Sequence, residues 1–197
     1  MLPHEIIAAP VTCWLAPVGE SMPNVDDEPT GNWVKVGTSG DRNIHEDGVT
    51  VQHGQEIELL RTLGSTGPVK AFRTEESLML SFVLLDLTIE QYKHVLNLNA
   101  LVTVAAGSGT PGTKHVELHR GSEVQQRAML LRGAMSPYGD GWALQYEVPR
   151  VVHVGEPEVV FKKGEPAGLL FEFQAIEDPD FAYGKFGRLV TQHQTAT

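Results

Sequence analysis

Near the end of the chain, Leu169, Phe171, Phe173 and Ala175 fall two residues apart, with Glu172 and Gln174 between them. Successive side chains of a strand point to opposite faces, so this period of two predicts a strand with one apolar and one polar face. The same alternation sets Leu144, Tyr146 and Val148 against Gln145 and Glu147, in a strand opened by Trp142, and Val116 and Leu118 against His115, Glu117 and His119. The run Leu78 to Leu85 is continuously apolar and short, which predicts a strand buried on both faces. Turn signals separate these pieces: Asp47-Gly48, Gly64-Ser65-Thr66-Gly67-Pro68, Gly107 to Gly112, Asp140-Gly141, and Lys163-Gly164-Glu165-Pro166. Further strands are expected at Val11 to Ala16, Trp33 to Gly37, Val49 to Val51, Glu56 to Leu63, Val69 to Thr74, Leu101 to Ala105, Val124 to Leu131 and Val159 to Lys162.

One helix interrupts this pattern. Thr88 with Gln91 forms a capping box, and Leu87 and Tyr92 take the staple positions. Ile89, Tyr92 and Leu96 share a face, and Asn97 or Asn99 can end a helix of about three turns near 88–98. The fold class is mainly β: two antiparallel sheets packed as a sandwich or part-barrel, with one flanking helix. Residues 1–32 read as an N-terminal arm punctuated by Pro3, Pro10, Pro17, Pro23 and Pro29, residues 33–178 as one β-sandwich domain, and residues 179–197 as a C-terminal arm.

Composition excludes several function classes. Hydrophobic residues make up 41% of the 197, enough for a core. A net charge of -10 argues against a protein that grips nucleic acid, because DNA is held mainly by Lys and Arg neutralising phosphates. It is compatible with a wall along which DNA slides. The single Cys13 cannot form an intrachain disulfide and reads as a plain strand residue. Met1 to Ala9 has no basic n-region, and no apolar run reaches the ~18 residues of a membrane span. Synthesis in a reducing cytosol is expected, with export only as part of a particle.

No catalytic motif, phosphate-binding loop or paired-Cys zinc spacing is present, so no catalytic residue, metal or cofactor is expected. His115, Glu117 and His119 share one face of a predicted strand and could ligate a divalent metal, as in a β-sandwich metalloenzyme. The competing reading is a solvated strand face. Asp26-Asp27 and Glu75-Glu76 read as loop or edge decoration.

The order of these pieces resembles the tail tube (major tail) proteins of long-tailed, non-contractile phages. Trp14-Leu15-Ala16-Pro17-Val18-Gly19 is similar to the family's N-terminal strand. Gly31 to Gly37, then Glu46-Asp47-Gly48-Val49-Thr50-Val51, then Leu78 to Leu85 running into Leu87-Thr88-Ile89-Glu90-Gln91-Tyr92, follow in the family's order. Phe186-Gly187-Arg188-Leu189-Val190 is similar to its closing motif. The resemblance implies hexameric rings whose inner sheets join into a barrel. The rings stack through both arms and a long loop or hairpin, and the DNA passes through the lumen unbound. It implies a virion location, assembly in the host bacterial cytoplasm, and tape measure and tail terminator proteins as partners.

On that reading Arg61, Ser65, Thr66, Lys70 and Arg73, around the Gly64 to Pro68 turn, are candidates for contact between rings. Gln145, Glu147, Glu172 and Gln174 are candidates for the lumen wall. A tail terminator or head-tail connector, forming one ring only, is the alternative from the same class of assemblies; the metalloenzyme is the alternative from another.

Overall fold

The computed structural model describes residues 10–138 and 141–194. Residues 1–9 and 195–197 of the two predicted arms, and Asp140 of a predicted turn, lie outside the described residues. The fold is mainly β, as the alternation requires. The strands are β1 (Val11–Pro17), β2 (Val34–Lys35), β3 (Ile44–Arg61), β4 (Pro68–Leu84), β5 (Leu101–Val104), β6 (Thr113–Val116), β7 (Gln126–Gly133), β8 (Leu144–His153), β9 (Leu169–Ala175) and β10 (Arg188–Thr191). The large antiparallel sheet runs β2-β1-β7-β8-β9-β4-β3, with β10 also on β8. Strands β5 and β6 form a separate hairpin.

Strand β8 makes one sheet into two layers. Along one edge it pairs with β7 for nearly its whole length. Along the other it pairs with β10 over Leu144 to Glu147 and with β9 over Val151 to His153. Between these stretches lies Pro149, which has no N–H to give a ladder. The register with β7 also slips there, between Arg127 and Met129. A bulge bends its strand and raises the local twist. The bend turns β9-β4-β3 back over β7-β1-β2, and the two share one core. From the first layer come Cys13, Leu15, Met129, Leu131 and Val148; from the second come Leu80, Phe82, Leu84, Phe171 and Phe173. Phe82 and Phe171 stack with centroids 5.1 Å apart.

Several expectations are corrected by this geometry. Val49 to Val51 and Glu56 to Leu63 belong to one strand, β3, and Val69 to Thr74 joins the apolar run in one strand, β4. Residues Leu78 to Leu84 are buried on alternate positions only, because one face of β4 meets the core and the other is half covered. Val159 to Lys162 forms no strand, and Phe161 there is exposed.

The helix is shorter than predicted: α1 spans Ile89–Tyr92 and a 3-10 turn, Lys93–Val95, follows it. The Thr88 side chain makes no cap. Asp86 instead braces the segment before the helix, accepting from the Thr88 N–H at 3.1 Å and from the Thr38 N–H and hydroxyl at 2.9 and 2.7 Å. Burial alone pushes the Asp86 carboxyl up, but the hydrogen bonds from Thr38 and Thr88 outweigh it and hold it low. Asn97 and Leu98 end the segment in left-handed backbone, at φ of 60° and 61°.

Neither described arm segment stands free. β1 is an interior strand, paired with β7 from Val11 to Pro17, and its Trp14 and Ala16 form an outer cluster with Trp33, Ala128 and Leu130. The alternation of Cys13 and Leu15 against Trp14 and Ala16 buries both of its faces. The C-terminal segment returns as β10. Just before it, Gly187 takes φ +118°, and a Cβ there would lie 2.0 Å from the Glu147 carbonyl oxygen. Only glycine permits that approach. Gly187→Ala is expected to release β10 while the core remains. Rapid hydrogen exchange at the Arg188 to Thr191 amides, with protected β7 amides, is the expected result; unchanged protection of β10 would contradict it.

Candidate functional site

The feature most exposed to a partner is the far half of the β3–β4 hairpin. Near its base Val49 and Val51 pack on the core. Beyond Gly54 and Ser77, every residue from Gln55 to Thr66 and from Pro68 to Glu76 is exposed. Gly54 marks the transition: the Ser77 hydroxyl lies 2.4 Å from where its Cβ would be, so the strands close tightly there. At ~3.3 Å per residue the free part extends roughly 20 Å. Register slips at Glu56/Ile57 and Leu60/Arg61 twist it as it leaves the body. Large apolar side chains stand on both faces and at the tip: Ile57, Leu59, Leu60, Leu63, Val69 and Phe72 are each 45 to 107% exposed.

The five candidates for contact between rings all lie here, exposed. Ser65 caps the tip by donating to the Gly67 carbonyl at 3.0 Å. Lys70 sits 4.9 Å over the Phe72 ring. Arg73 donates to Gln55 at 3.1 Å and pairs with Glu76 at 3.8 Å. Arg61 and Thr66 flank the turn. The sequence reading singled out these polar residues and missed the apolar ones beside them. The missed signal was the broken alternation of Glu56-Ile57-Glu58-Leu59-Leu60-Arg61, which suits neither a half-buried nor a fully buried strand.

The four predicted lumen residues divide. Glu172 and Gln174 lie half-buried on the outer face of β9, beside Ser81 and Met79 of β4. Gln145 and Glu147 are 0 and 1% exposed, so they form no part of the subunit's surface. Their polar face of β8 is covered by the chain's own segments. Arg132 donates to the Gln145 Oε1 at 3.1 and 2.6 Å; Gln145 donates to the Glu147 Oε1 at 2.6 Å; Arg188 donates to the Glu147 Oε2 at 2.5 Å. The ladder then holds the segment after β1: Gln145 donates to the Pro23 carbonyl at 2.8 Å, and Arg132 to the Asn24 carbonyl at 2.8 Å and to that of Asp27. Burial lowers the pKa of Arg132, while the hydrogen bond to Glu147 raises that of Arg188. The arginines complete acceptors that would otherwise be buried unpaired.

His115, Glu117 and His119 do not converge. β6 ends at Val116, and Asn99 donates to the carbonyls of both Glu117 and His119 at 2.6 Å, bending the backbone away from a strand. Glu117 and His119 meet each other in solvent at 3.3 Å. No group of three metal-ligating side chains occurs among the described residues. Cys13 is fully buried, and burial pushes its thiol far above the usual range, so no thiolate is available for chemistry.

A second buried polar cluster lies at the α1 end of the core. Arg127 and His94 are each 7% exposed, and Arg127 donates to the His94 Nδ1 at 2.7 Å. Burial, the Arg127 charge and Lys93 push His94 down to about 3. Burial and the charges of Arg120 and Arg127 push His153 to about 4, where it meets Phe173 edge-on at 5.4 Å. An imidazole with a lowered folded pKa stays neutral while the unfolded chain takes up a proton below about 6.5. Stability therefore falls as the pH drops through the window from about 6.5 towards about 4. Denaturation in a chloride buffer should show stability falling by roughly 2 kcal/mol per pH unit near pH 5 from these two groups, with a clearly shallower slope in His94→Gln. A slope identical in wild type and variant would contradict the assignment.

No protein-family model matches the chain, and no curated protein matches its sequence.

Proposed function

We propose that the chain is a structural subunit of a phage tail tube, assembling as hexameric rings that stack around a DNA channel. The carrying observation is the hairpin: roughly 20 Å of paired strand, apolar on both faces, with nothing among the described residues to cover it. An exposed strand pair of this kind is an aggregation hazard unless another copy receives it. The outer edge of β3 is also unpaired in the described sheet, so a neighbouring copy can extend the sheet in the ring plane. In-plane contacts that close give a ring, and axial contacts that do not close give a filament. The charge of -10 suits a channel that repels a polyanion rather than holding it. Tape measure and tail terminator proteins are the partners this reading requires. The sequence resemblance supplies the phage setting; the hairpin supplies the means of stacking.

Electron microscopy of concentrated protein is expected to show tubes of stacked rings. The double variant Leu59→Asp/Phe72→Asp should leave single subunits whose stability stays within about 0.5 kcal/mol of wild type, since neither side chain reaches the core. Discrete single rings would favour the terminator or connector instead. A wild-type protein that stays monomeric at every concentration would overturn the reading.

A further inference from the structure

We propose that the cavity between the 3-10 turn after α1 and the sheet is a binding site for a small oxyanion, a phosphate or carboxylate group, held by Arg127 and Arg120. The site is independent of the tube reading. It has a volume of about 190 Å³ and is lined by His94, Asn97, Arg120, Glu123, Arg127 and His153 among its polar residues. That is far more than the ~10–15 Å³ one water needs.

Charge is the reason for the assignment. The Arg127 guanidinium is buried, and its hydrogen-bond partner is the neutral His94 imidazole. Among the described residues no carboxylate lies within ion-pairing distance of Arg127 or Arg120. Glu123 lines the cavity, but its fixed contact is through the backbone carbonyl, which accepts from Asn97 at 2.7 Å. A buried cation without a counter-charge costs several kcal/mol. Burial lowers Arg127 only to about 10, so it remains charged at neutral pH.

A second observation points to the same occupant. The His153 Nε2 is buried and has no hydrogen-bond partner. Arg120 donates to the Gly155 carbonyl at 3.2 Å, which fixes its guanidinium at the cavity while leaving other N–H groups free. Val95, Val151 and Phe173 form an apolar side of the cavity. Low-dielectric walls strengthen each charged hydrogen bond made inside. An anion bound by the two planar arginine forks would neutralise Arg127. It would also draw a proton onto the His153 Nε2, which would then donate to it.

Inorganic phosphate, and separately acetate, would be titrated into dilute single subunits in chloride buffer at constant ionic strength, following the imidazole resonances of His94 and His153. Saturable shifts of both rings are expected with at least one of the two ions. Arg120→Gln, an exposed change that spares the fold, should weaken binding about tenfold or more, and Arg127→Met should abolish it. Preference for phosphate by about tenfold or more would identify a free phosphate-type ligand; equal binding of acetate would identify a carboxylate side chain of another chain. Absence of saturation with both ions, up to about 50 mM, or an Arg120→Gln protein that binds like wild type, would overturn the proposal.

Discussion

The corner in β8 at Val148 to Arg150 decides the architecture. A single strand holds three neighbours, β7 on one edge and β9 and β10 on separate halves of the other. Pro149 cannot donate to a ladder, so the interruption falls where the edge changes partner. Without that break the described strands would make one broad sheet with two open faces. With it, the sheet folds on itself and Phe82, Phe171 and Phe173 acquire Met129, Leu131 and Val148 as opposing neighbours in one core. Gly187 belongs to the same corner, since β10 approaches the Glu147 backbone too closely for any side chain.

The corner also explains where the ends of the chain go. β10 brings Arg188 to Glu147, and the segment after β1 lays its carbonyls against Gln145 and Arg132. One ladder of four side chains thus ties residues from both ends of the described chain to the middle of the sheet. Buried ionic groups of this kind add little net stability against an apolar replacement. Their effect here is geometric: each requires a specific partner, so the segments can dock in one register only. What remains uncommitted is the hairpin, which leaves the body where Gly54 meets Ser77.

The strand content was legible because the period of two is written plainly in Leu169 to Ala175 and Leu144 to Val148. The sandwich followed from that pattern. The strand at Val11 to Ala16 is legible within residues 1–32, but not its place inside the sheet, where Trp14 and Ala16 alternate with Cys13 and Leu15 to bury both faces of β1. Gln145 and Glu147 were placed on an open wall for a similar reason. Alternation shows which residues share a face, but not that a distant segment such as Asn24 covers it. The start at Thr88 and the stop at Asn97 were legible, but not that α-helical geometry ends at Tyr92 and a 3-10 turn carries the chain on to Val95. The cavity beside Arg127 left no trace in sequence, since it joins residues from the 3-10 turn after α1, β7, β8 and β9 with the loop around Arg120.

The tube reading rests on one property, that the far hairpin is uncovered in a single subunit and covered in the assembly. Hydrogen exchange of residues 54–76, compared between dilute single subunits and pelleted assemblies, measures this directly. Rapid exchange across Gln55 to Glu76 when dilute, becoming strongly protected in the assembly while core strands β7 and β9 stay protected in both, is the predicted result. Assemblies in which the hairpin amides exchange as fast as in the single subunit would contradict it.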